Sequence, residues 1–61
     1  MTQKQFENIV ELCKGHDVLS IRRMLAFYRP TDIKDLADKL GVTGDDHDLK
    51  DKIAFVLANR A

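Results

Sequence analysis

Apolar residues recur with helical spacing in four separate stretches of this chain, each closed by a residue that ends helices, and this pattern limits the fold more than any other feature. In the first stretch, Phe6, Ile9, Val10, Leu12 and Cys13 fall on one side of a wheel turned about 100° per residue. Lys4, Glu7, Asn8, Glu11 and Lys14 fall on the other. Thr2 followed by Gln5 has the form of a capping box, and Gly15 supplies the left-handed residue at which helices stop. The spacing predicts a helix over 3–14.

A second helix is predicted over 18–28, capped by Asp17 and ended by Pro30, because the residue before a proline avoids helical backbone. Its arc is Val18, Ile21, Met24, Leu25 and Tyr28, while Leu19, Ala26 and Phe27 lie outside it. A helix apolar on more than one side is expected at the centre of a bundle. A third helix is predicted over 32–40 with Thr31 as its cap. Ile33, Leu36, Ala37 and Leu40 follow the i, i+3, i+4, i+7 rule, Gly41 ends it and Val42 folds back on the last turn. A fourth, over 46–59, starts at Asp45 or Asp46 and carries the stripe Leu49, Ile53, Val56 and Leu57.

No stretch alternates with a period of two and no Asn-Gly or Asp-Gly hairpin turn occurs, so the expected class is all-α, a compact bundle of four short helices. The expected core is Phe6, Ile9, Val10, Cys13, Val18, Ile21, Met24, Leu25, Tyr28, Ile33, Leu36, Leu40, Ile53, Val56 and Leu57. With 61 residues the expectation is one domain, 1–61, near the lower size limit for independent folding. Asp35 with Lys39, Asp46 with Lys50, and Asp48 with Lys52 stand at i, i+4 and are expected to pair on solvated faces.

Charge sorts function classes. Ten basic and ten acidic residues cancel, which argues against a general pull toward polyanions. The halves differ, however: residues 1–30 hold five bases and three acids, and residues 31–61 five bases and seven aspartates. The two halves can attract one another within one copy or between copies. The lone cysteine, the absence of an apolar run near the roughly 20 residues of a membrane span, and an N-terminus without signal-peptide layout predict a cytoplasmic protein away from membranes.

The stretch Asp32-Ile33-Lys34-Asp35-Leu36-Ala37-Asp38-Lys39-Leu40-Gly41-Val42-Thr43 resembles the first half of a helix-turn-helix motif: small Ala37, Gly41 four residues on, then apolar Val42. That resemblance implies DNA binding by the helix that follows. The family calls for a β-branched apolar residue where this chain has His47, and the following helix opens with Asp45, Asp46, Asp48 and Asp51, which repel phosphates. The linker Thr43-Gly44-Asp45-Asp46 is similar to the loop of helix-extended-loop-helix modules such as SAP domains, which bind DNA through basic residues. On this alternative, residues 31–60 form a degenerate unit of either kind, and the nucleic-acid contacts are Arg22, Arg23, Arg29, Lys50 and Lys52. The bland reading of those arginines is that their stems cover apolar surface and their heads meet aspartates of the second half.

Other chemistry is poorly supported. Asp45-Asp46-His47-Asp48 lacks the spread of ligands and closing glutamate of a Ca²⁺ loop, and helix capping accounts for the aspartates. Cys13 and His16 stand close in sequence, but Cys13 shares the apolar arc, which predicts an inert thiol. The expectation is therefore no enzyme, no metal, no cofactor and no small-molecule substrate. The features that remain are Phe27, flanked by Ser20 and Arg23, and Phe55, flanked by Asp48, Asp51 and Asn59. Two readings stay open for these rings, core or contact surface. As contact surface, together with Arg23 and Leu19, they point to a protein-interaction or regulatory module that binds a protein partner or a second copy as a homodimer.

Overall fold

The computed structural model describes residues 1–60, with the side chain of Asp46 also outside the description. Its elements in chain order are α1 (Gln3–Cys13), α2 (Val18–Leu25), α3 (Pro30–Leu40) and α4 (Asp46–Asn59), with no strand among the described residues. The local signals act largely as expected. The Gln5 N–H donates to Thr2 Oγ1 at 3.2 Å and the Thr2 N–H to Gln5 Oε1 at 3.0 Å, so the capping box starts α1. Asp17 Oδ1 accepts the Ser20 N–H at 2.8 Å at the start of α2. At the end of α3, Gly41 takes φ 72° and the Val42 N–H returns to the Ala37 carbonyl at 2.8 Å, which closes a Schellman turn.

Pro30 acts differently from the sequence expectation. It opens α3 at the first helical position instead of merely ending α2, since its fixed φ suits a helix start and its missing N–H would have no intrahelical partner. Arg29, and not Thr31, is the N-cap, extended at ψ 153° and without a side-chain cap bond. α2 stops at Leu25, short of the expected 28. The chain then tightens, with Phe27 N–H to Met24 O at 3.2 Å and Tyr28 N–H to Leu25 O at 3.1 Å. Asp45 likewise occupies the N-cap of α4 without a side-chain cap bond; its carbonyl accepts from Asp48 and Leu49.

The core consists of Phe6 and Cys13 from α1, Ile21 and Leu25 from α2, Ile33, Leu36 and Ala37 from α3, and Leu49, Ile53, Ala54 and Leu57 from α4. Ile9, Val10, Met24, Tyr28, Leu40 and Val42 pack around it half-buried. The helix at the centre is α4, not α2: it lies against all three others and most closely against α2. Arg22 of α2 pairs with Asp51 of α4, and Ala54 and Ala58 follow Asp51 at i+3 and i+7. Small residues thus lie beside the Arg22–Asp51 pair on α4, Ala54 buried and Ala58 half-buried. Val18 departs from the expected core and is 37% exposed. A helical side chain leans toward the N-terminus of its helix, so Val18 overhangs the exposed Gly15-His16 loop, which cannot cover it. Leu12 lies at the edge of its arc and is also exposed.

The i, i+4 pairs give way to tertiary partners. Asp35 binds the Met1 amine at 3.0 Å, Lys39 donates to Gln3 Oε1 at 3.4 Å and stands over the Phe6 ring, and Lys52 donates to the Thr43 carbonyl at 3.0 Å. A surface i, i+4 pair contributes only a few tenths of a kcal/mol, too little to hold a long side chain against such alternatives. The Asp46–Lys50 pair lies outside the described residues. The Cα radius of gyration is 10.2 Å, close to the about 10.5 Å of a compact chain this long.

Candidate functional site

Two faces of the bundle carry what the core does not use. The first runs along the outside of α2 and its exit turn. Leu19, Arg23 and Phe27 stand at i, i+4 and i+8, all three exposed, with Leu19 at 56% and Phe27 at 90%. Phe27 lies in the turn that follows α2, where its N–H donates to the Met24 carbonyl at 3.2 Å and its ring lies outside the core. Arg29 follows two residues later and is exposed as well. The second face is the outer side of α4. Phe55 is 61% exposed, and the exposed Asp48, Asp51, Lys52 and Asn59 surround it on the wheel. Asn59 Nδ2 donates to the Phe55 carbonyl at 2.8 Å. Of the two readings left open for Phe27 and Phe55, the structure places both rings outside the core.

The arginines and lysines considered as nucleic-acid contacts do not form one stripe of equivalent side chains. Arg22 is paired with Asp51, and Lys52 is bent onto the Thr43 carbonyl close over Gly44. Lys50 is half-buried beside Pro30, Ile33, Lys34 and Leu49 at the junction of α3 and α4. Arg23 and Arg29 are exposed. At the start of α4, Asp45, His47 and Asp48 are exposed, which places acid where a groove-reading helix would carry base.

The Arg22–Asp51 pair is the described ion pair that joins helices of the two halves, and it stitches the α2 face to the α4 face. Half-exposed on both sides, it lies in the range where such pairs contribute up to about 1 kcal/mol. Asp51 was not recognisable as its partner from sequence, although the opposite charge of the two halves was a signal that some such pair would form. Leu12, beside Asn8 and Glu11, is an exposed apolar residue that its place on the α1 arc concealed.

Asp17, fully exposed, is held below the usual carboxylate range by the Ser20 backbone N–H, then by the Ser20 side chain and the charges of His16 and Arg23. Burial pushes the Cys13 thiol up. His16, its sequence neighbour, is exposed and bonds Cys13 only through the backbone, N–H to carbonyl at 3.2 Å. Burial also raises Tyr28, which lines a shallow groove with Met1, Gln5, Asn8, Ile9 and Asp32. Among the described residues no three His, Cys, Asp or Glu side chains gather to hold a metal ion, and no helix is long and apolar enough to cross a membrane. No protein-family model, curated protein or solved structure matches this chain.

Proposed function

We propose that this chain is a small, non-enzymatic protein-interaction module whose contact surface comprises Leu19, Arg23, Phe27 and Phe55. The observation that carries this reading is Phe27, a phenyl ring 90% exposed on the turn that follows α2. Removing such a ring from water is worth roughly 1.5–3 kcal/mol, and aromatic side chains beside arginine are the residues that most often dominate protein contacts. The core is filled without Phe27 or Phe55, so neither ring is needed for packing. Use of the chain as a regulatory subunit in the cytoplasm is consistent with its single thiol, which is buried. Nucleic-acid binding is the weaker alternative: two of its five cations, Arg22 and Lys52, are engaged within the chain, and exposed aspartates open α4.

The test compares what binds the wild-type protein with what binds Phe27→Ser and Phe55→Ser variants in pull-downs from the native host, with retention on duplex and single-stranded DNA at low salt as a parallel arm. The reading requires a bound protein, which includes the chain itself, that is lost from at least one variant. Identical capture by all three proteins, or salt-dependent retention on DNA that ignores both substitutions, would refute it.

A further inference from the structure

We draw no further inference here: the strongest candidate, the exposed apolar surface formed by Phe27 in the turn after α2 and Phe55 on the outer side of α4, carries nothing beyond the contact reading already given, because nothing in the structure shows what covers either ring.

Discussion

Replacing Ala54 with leucine tests the architecture where it is tightest. Ala54 is fully buried on the central helix, one turn after Asp51, which holds Arg22 of α2. Three extra carbons there must push a neighbouring helix outward or force core side chains off their rotamers, a change that costs about 1–3 kcal/mol in a packed interior. A domain of this length holds about 3–9 kcal/mol in total, and each kcal/mol lost lowers the melting temperature by roughly 4–8 °C. Ala54→Leu should therefore melt about 5–20 °C below the wild type, followed by ellipticity at 222 nm, with an unchanged urea m-value. The same substitution at exposed Ala26, just past the end of α2, should change stability by no more than about 0.5 kcal/mol. A wild-type melting temperature for Ala54→Leu would refute the tight packing around α4.

Three other outcomes follow from local geometry. Gly41→Ala should destabilise by about 1 kcal/mol in thermal unfolding, because no atom crowds the site and the entire cost is that of φ 72° for a residue with a Cβ; stabilisation would mean the left-handed turn is not formed. Asp17 should titrate below the ordinary aspartate value of about 3.9 by NMR, since it accepts the Ser20 N–H. Its folded pKa being the lower one, its contribution to stability is complete above the unfolded value and is lost as pH falls through the folded value. Asp17→Asn keeps a capping side chain but should show a shallower acid loss of stability, and an equally steep loss would contradict this. Cys13 should react with a thiol reagent much more slowly in the folded protein than in denaturant, because burial both shields the sulfur and raises its pKa. With the folded value raised, the stability linked to the thiol is present below its ordinary pKa and lost as pH rises through the folded one. Labelling at the rate of a free thiol would show that the α1 face is open.

Much of the fold is written in local signals. The capping box at Thr2 and Gln5, the Asp17 cap, the Gly41-Val42 turn and the span of α4 are set by residues close in the chain, and sequence reasoning recovers them. The central place of α4 is not local. Its amphipathic pattern is weak, because Phe55 interrupts the polar side and the half-buried Lys50 the apolar one, and its buried residues include Ala54, which no apolar count singles out. The expectation that α2 is central followed from its off-arc residues Leu19, Ala26 and Phe27, but all three are exposed. The same limit governs the candidate site. That Phe27 and Phe55 leave their stripes is visible in the sequence; whether a neighbouring helix covers them depends on packing, as does the choice of Asp51 as the partner of Arg22.

The most direct measurement uses the fact that the chain has only three phenylalanines, Phe6, Phe27 and Phe55, one buried and two exposed. With fluorophenylalanine incorporated, fluorine NMR of the dilute protein in H₂O and in D₂O reports the solvent contact of each ring. The account predicts a solvent isotope shift for the resonances of Phe27 and Phe55 and almost none for that of Phe6. A resonance of Phe27 or Phe55 as insensitive to solvent as that of Phe6, at concentrations where the protein is monomeric, would place that ring in the core and contradict the contact surface built on it.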